Sequence, residues 1–198
     1  VSYRARHTGR YPVVLKCFDE LNSLIRSNCD VAIVTDGSGN SFNLPVGFGG
    51  FVLERKANLP FQVVAPIAGG LKYGGTINVA ELLAPILGVK TYHCLAGKHR
   101  CEQERRKLRI DIISDSQYAV SCIQKTVYSQ NFEDILGEKN GDLCCMLRFF
   151  SCQFYDIYAT HVDRDTILFN HWSDRLAAMA RDYNKAITIP QEAKEYIS

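Results

Sequence analysis

Residues 111–120 read DIISDSQYAV. The isoleucine-rich run favours a strand, and it runs straight into a carboxylate, Asp115. Ser, Gln and Tyr follow it, where a turn that left the acid in solvent would have been the ordinary ending. SQYAVSCIQKTVYS then reads as a helix. A second strand, DVAIVTDGSGN, ends the same way, apolar up to Asp36 and then broken by a Gly/Ser/Asn turn. If the two strands are parallel neighbours, their carboxyl ends lie side by side, which is where ligands bind in open α/β sheets. Asp115 then faces Asp36.

Two carboxylates forced together repel, and each raises the other's pKa unless a cation neutralises them. A bound metal is the natural resolution. Hard divalent cations prefer oxygen ligands, and Mg²⁺ keeps several waters and takes only a few carboxylates, so further acids matter. Glu81 lies early on a helix, beside its apolar stripe. Asp174 lies in about the first turn of the last helix, behind an expected cap at Asn170, where the helix dipole favours a carboxylate. Taken singly each acid has an ordinary explanation as turn former, solvated helix residue or dipole partner. The four in this order, on strand end, helix, strand end and helix start, do not.

Outward from these acids the chain reads as α/β. VSYRARHTGR is a polar arm, and YPVVLKCFDELNSLIRS places Val14, Phe18, Leu21 and Ile25 on one helical face ending near Ser27. VGFGGFVLERK and FQVVAPIAGGL are strands separated by the KANLP turn. The segment from Thr76 to about Cys94 changes to helical spacing, with Pro85 expected to kink it. A basic segment precedes the strand LRIDIISDS. SQNFEDILGEKNG reads as a polar connection, DLCCMLRFFSCQ as a helix and FYDIYATHV as a fifth strand. NHWSDRLAAMARDYNKA closes as a helix with Leu176, Ala177, Ala180 and Tyr183 on one face. This order implies an antiparallel start followed by parallel crossovers.

Composition bounds the rest. The 198 residues, 46% of them hydrophobic, suffice for one ordinary domain with a real core and a short appendage. The eight cysteines are spread through apolar runs with no C-x-x-C spacing, so they read as reduced thiols and not as a disulfide frame or a zinc site. No signal pattern and no membrane-length apolar run is visible, which makes an intracellular, cytoplasmic protein the default expectation. The chain begins at Val1 without Met and reads as trimmed, processed or cut from something larger. Residues 97–109, GKHRCEQERRKLR, hold six Lys/Arg and two Glu, net +4 in a chain of net +2. An acidic body with basic patches suits a protein that gathers cations at one site and touches a polyanion elsewhere.

TDGSGN, TINVAELLAPIL, SDSQYAV and NHWSDRLAAMA together resemble the four signature segments of type 1 ribonuclease H, the enzymes that cut the RNA strand of RNA/DNA hybrids. The resemblance covers roughly residues 30–185, with SDSQYAV its most specific piece. It implies a ribonuclease H-like fold: a five-stranded mixed sheet of order 3-2-1-4-5, strands 1–3 antiparallel and 1-4-5 parallel, flanked by helices. The expected organisation is an N-terminal arm and helix over 1–29, a catalytic domain over 30–186 and a tail over 187–198.

By the same resemblance Asp36, Glu81, Asp115 and Asp174 are the metal-binding acids. They would hold two Mg²⁺ (or Mn²⁺) at the scissile phosphate, with products ending in 3′-hydroxyl and 5′-phosphate. His161 matches the family's loop histidine, with His171 as its rival. Gly37, Asn78 and Gln117, with Asn40 or Asn43, stand where the family reads 2′-hydroxyls in the shallow minor groove, and Thr76 where it contacts a DNA phosphate. The tryptophan-bearing basic protrusion of several bacterial members is missing. Substrate grip is therefore expected from Arg105, Arg106 and Lys107, or from the arm with Arg4, Arg6 and Arg10. The expected partner is an RNA/DNA hybrid and not a membrane. The chain is expected to be a monomer unless part of a larger polyprotein or complex, and a viral or retroelement origin is compatible with that. The competing readings are a superfamily nuclease acting on DNA and a noncatalytic nucleic-acid-binding module.

Overall fold

The computed structural model describes residues 19–39, 45–56, 60–73, 75–164, 166–182 and 186–194. The polar arm with its three arginines, Val14, Phe18, Asn40, Asn43 and Tyr183 lie outside the described residues. Residues 19–24 are helical. There follow β1 (Val31–Ser38), β2 (Val46–Glu54), β3 (Gln62–Leu71), α1 (Ile77–Ala96), α2 (Glu102–Arg105), β4 (Arg109–Ser114), α3 (Gln117–Tyr128), α4 (Phe132–Leu136), α5 (Gly141–Ser151), β5 (Asp156–His161), α6 (Leu168–Arg181) and α7 (Gln191–Lys194).

The five strands form one sheet in the order β3-β2-β1-β4-β5. β1 pairs antiparallel with β2, as does β2 with β3, while β1–β4 and β4–β5 are parallel. This is the order and the sense expected from the sequence. Both crossovers into the parallel part pass through helices on one face of the sheet, among them α1, α3 and α5, while α6, after β5, covers the other face.

The two faces follow from period-two alternation. Val31 and Ile33 of β1 and Ile110 and Ile112 of β4 enter the core under α1, α3 and α5, with Leu82, Ile86 and Val89. Ala32, Val34 and Ile113 enter the opposite core, with Phe169, Trp172 and Leu176 of α6. Leu21, Ile25 and Cys29 from the expected N-terminal segment, and Ala193 from the expected tail, are buried in that same second core. Phe51, Phe169 and Trp172 meet edge to face with centroids 5.2–6.2 Å apart. Each such pair adds about 0.5–1.5 kcal/mol beyond its buried area, which clamps α6 onto β2.

Several local expectations are corrected. β1 does not stop at Asp36: its antiparallel pairing continues to Ser38↔Gly47. The stretch expected to be a polar connection after α3 contains α4. α6 begins at Leu168 with Ile167 at its N-cap, so Asn170 is no cap but a helical residue, 1% exposed. α1 runs unbroken through Pro85 for 20 residues. Seven of the eight cysteines are free, as expected; Cys17 lies outside the described residues.

Candidate active site

The site forms where the parallel ladder stops. β1 and β4 pair from Val31↔Ile110 to Thr35↔Ser114, whereas β1 and β2 continue for three more residues. Asp36 therefore sits inside β1 with no β4 residue opposite it. Asp115 is the first residue beyond β4. The turn that carries it is built by the serines on either side. Ser114 Oγ accepts from Ser116 N–H at 3.1 Å, and Ser116 Oγ caps α3 by accepting from Ala119 N–H at 3.2 Å. That is why an acid follows the strand here: the S-D-S sequence turns the chain and starts the next helix while projecting the middle residue.

Asp36, Glu81 and Asp115 each offer a carboxylate oxygen, and these oxygens all lie within 4.8 Å of one another. Glu81 is 8% exposed, so it lies within the buried surface of α1 between Ala80 and Leu82 and not beside the apolar stripe, as its spacing had indicated. Gly37 makes this approach feasible: a Cβ there would stand 2.8 Å from the Glu81 backbone nitrogen and 2.9 Å from its Cδ. Gly37 also donates its N–H to Asp36 Oδ1 at 2.7 Å.

Burial and mutual repulsion act on the same groups. Burial, then the charges of Asp115 and Asp174, push the Asp36 carboxyl up to about 7. Burial, then Asp36 and Asp115, push Glu81 up to about 9. Asp36 Oδ2 and Glu81 Oε2 are buried without a hydrogen-bond partner. Two unpartnered buried oxygens beside a third carboxylate, with no soft donors, fit a hard divalent cation.

The direction of these shifts gives an expected outcome without any substrate. A folded-state pKa above the unfolded one means stability that is full below about pH 4 and is lost as pH rises through about 7 and then 9. The protein stripped by chelator is thus expected to lose melting temperature across that window. Mg²⁺ should restore more of it at pH 8 than at pH 5, and a flat response would contradict the crowding.

Asp174 stands slightly apart. It is the seventh residue of α6, in its second turn, and is not one of the three acids that share the tight cluster. Its charge still reaches Asp36, and Arg164 links it to the rest: Arg164 Nη2 donates to Asp174 Oδ1 at 3.3 Å, and its Nε lies 3.9 Å from Asp115 Oδ2. The sequence reading missed Arg164. Nothing local distinguishes an arginine in VDRDT from a solvated loop residue.

His161 is the last residue of β5 and not part of the loop after it. Its Nε2 lies 3.1 Å from the Asp115 carbonyl oxygen. His171, its rival, bears on Glu192 of α7 instead. Around the acids, Thr76 caps α1 by accepting from Val79 N–H at 3.3 Å, Asn78 is half-buried in the first turn of α1, and Gln117 is exposed at the start of α3. These three open on the acid end of the sheet. Arg105, Arg106 and Lys107 do not: they precede β4 and lie at the sheet's other end. Any phosphate they contact therefore lies away from the acids.

No protein-family model matches the sequence, and no curated protein matches it. Solved structures do. The N-terminal RNase H domain of rv2228c from Mycobacterium tuberculosis is 24% identical with a TM-score of 0.56, over 77% of this chain and 93% of that one. LC11-RNase H1 in complex with RNA/DNA hybrid is 17% identical with a TM-score of 0.58, over 78% and 98%. The protease-reverse transcriptase of prototype foamy virus is 18% identical with a TM-score of 0.58, over 81% of this chain and 22% of that one. At these identities the likeness is one of fold.

Proposed function

From the ribonuclease H-like fold of this chain, we propose that it is an endoribonuclease hydrolysing the RNA strand of RNA/DNA hybrids with two divalent cations, leaving 3′-hydroxyl and 5′-phosphate ends. The observation that carries this reading is the convergence of Asp36, Glu81 and Asp115 at the end of the parallel ladder, with two buried oxygens left unpartnered. A noncatalytic module has no use for three like charges in one place, since their repulsion costs stability.

Asp36, Glu81 and Asp115 would hold the ions, with Asp174 completing the set. Mg²⁺ or Mn²⁺ there would supply Lewis acidity toward the phosphate and a bound water more acidic than bulk water. The chain's own residues do the rest. Gly37 lets Glu81 reach the cluster. His161, whose Nε2 lies beside the Asp115 carbonyl oxygen, would exchange a proton near the reacting phosphate. Arg164 spreads positive charge over Asp115 and Asp174. Gly37, Asn78 and Gln117 would read 2′-hydroxyls, the first by leaving room for close approach and the other two through side-chain amides, and Thr76 would offer a hydroxyl to the DNA-strand backbone.

The test is a panel of labelled RNA/DNA hybrid, duplex RNA and duplex DNA, with and without Mg²⁺. Cleavage confined to the RNA strand of the hybrid and dependent on the ion is expected. Cleavage of duplex DNA would instead select the superfamily's DNA-acting nucleases. His161→Ala is expected to lower kcat about 10²-fold with hybrid affinity unchanged, measured by single-turnover cleavage beside equilibrium binding.

A further inference from the structure

The strongest unassigned feature lies at the far end of the sheet. Val31, Glu54, Gln62, Ile110 and Ile157 form one row across the five strands, and the paired residues Arg109 and Asp156 lie one position further out. Five residues of β1 separate that row from Asp36, about 17 Å at the usual rise per residue. The +4 segment 97–109 gathers at this row.

Its arginines divide into two groups. Arg100 is held by Glu54 at 2.5 Å and by the Tyr92 hydroxyl at 3.0 Å, Arg105 donates to the Arg100 carbonyl at 3.0 Å, and Arg109 lies 4.6 Å above the Tyr155 ring. These three build a platform. Lys98, Arg106 and Lys107, together with His99 and Lys56, are exposed on it. The acids at this end are fewer than the cations: Glu54 pairs with Arg100 and Tyr92, Glu104 caps Cys101 N–H at 2.8 Å, Glu102 pairs with Arg106 at 2.8 Å, Asp30 accepts from Arg109 N–H at 2.9 Å, and Asp156 stands opposite Arg109. The surface therefore keeps an excess of positive charge.

An aromatic ring joins these cations. Tyr155 is 63% exposed, and its N–H bonds the Leu108 carbonyl at 2.9 Å, which puts it beside Lys107. Phe154, next in the chain, packs on Tyr92 of α1 at 5.9 Å, bringing the carboxyl end of that helix and Lys98 to the same region. Cations that follow a backbone, with an exposed aromatic ring among them, are the chemistry that holds single-stranded nucleic acid: phosphates on the charges and a base on the ring. A bilayer surface would use the charges but has no call for the ring.

We propose that this pole, formed by Lys98, Arg106, Lys107 and Tyr155, binds a single-stranded nucleic-acid segment at a site separate from the acid cluster. A rigid duplex seated on the acids does not bend round the molecule to reach it, whereas a flexible single strand extending from a hybrid does. The site stands independently of the nuclease reading.

The experiment measures binding of a single-stranded oligonucleotide of about 12 nucleotides by fluorescence anisotropy over a series of salt concentrations. The protein carries Asp115→Asn so that nothing is cut. Adding K98E/R106E/K107E is expected to weaken binding at least about 10-fold and to reduce the log–log salt slope by about 2, three phosphate contacts at roughly 0.7 each. Tyr155→Ala is expected to weaken binding about 10-fold with the slope unchanged. In the parent carrying Asp115, both changes should leave cleavage of a short blunt hybrid as it was, and the melting temperature reports folding in every variant. Wild-type-like binding by the triple variant, or binding to phosphatidylserine vesicles without binding to the oligonucleotide, would overturn the proposal. Failure of the parent to cut any hybrid would overturn the nuclease reading alone.

Discussion

Asp115→Asn is expected to lower hybrid cleavage by about 10³-fold or more, which corresponds to about 4 kcal/mol of barrier, while hybrid affinity holds or rises. The substitution keeps the shape of the side chain and one of its oxygens but removes the charge. Asp115 supplies one of the three carboxylates that, among the described residues, bring their oxygens within 4.8 Å of one another, so the attraction for a divalent ion falls steeply. A nucleic-acid backbone is repelled by that same charge, so binding in chelator should not suffer. Stability moves the other way from activity. Asp115 is one of the charges that raise Asp36 and Glu81, and its removal should lift the melting temperature of the chelated protein and shrink the further rise given by Mg²⁺. A purely structural acid would lose stability and activity together. A noncatalytic binding module would show neither loss. Cleavage by the Asn variant at the parent rate would end the catalytic assignment of this site.

How far the sequence revealed this depends on the range of the interactions concerned. The placement of strands and helices along the chain followed from local periodicity, the order of the strands in the sheet from the resemblance, and Asp115 stood out because an isoleucine-rich strand runs straight into it; the S-D-S turn and cap that project it are adjacent in the chain. Asp36 was placed at a strand end because Gly, Ser and Asn follow it. The strand continues because the glycine-rich stretch of β2 goes on pairing with it, a tertiary effect that composition does not carry. Asn170 looked like a cap because asparagine favours caps, yet Ile167 holds that position and Asn170 is buried. Glu81 was read beside the apolar stripe, but α1 packs against both β1 and β2 near its start and buries that side too. Arg164 reaches two acids from different elements, which no local pattern encodes. The basic segment was legible as charge, but not as belonging to the end of the sheet away from the acids.

Gly49→Val is expected to destabilise the protein by about 3 kcal/mol or more and, in whatever fraction folds, to cost activity. β2 reads VGFGGFVLE, and Gly47 and Gly49 are where α6 lies directly on the strand. A Cβ at Gly49 would stand 2.6 Å from the Ala177 nitrogen, 2.6 Å from Leu176 Cβ and 2.7 Å from the Ser173 carbonyl oxygen. One at Gly47 would fall against the Ala177 carbonyl. Two of the obstructing groups at Gly49 are helix backbone, so no rotamer change relieves them and α6 must move outward. That displacement would loosen the Phe51–Phe169–Trp172 cluster and the hydrogen bonds of Ser173 Oγ to the Phe169 carbonyl at 2.8 Å and to the Val34 carbonyl at 3.3 Å. Asp174 is the next residue in the chain, so the helix that carries the fourth acid shifts with it. Denaturant melts should show the lost stability, and Mg²⁺ titration of the folded variant should show weaker stabilisation than in the parent. Gly137→Val makes the contrast: a Cβ there meets only the Glu133 and Asp134 carbonyl oxygens at 3.7 and 4.0 Å, so its effect should stay within about 1 kcal/mol. Equal losses at the two positions would mean that α6 does not rest on β2 through its glycines, and the placement of Asp174 would lose its structural basis.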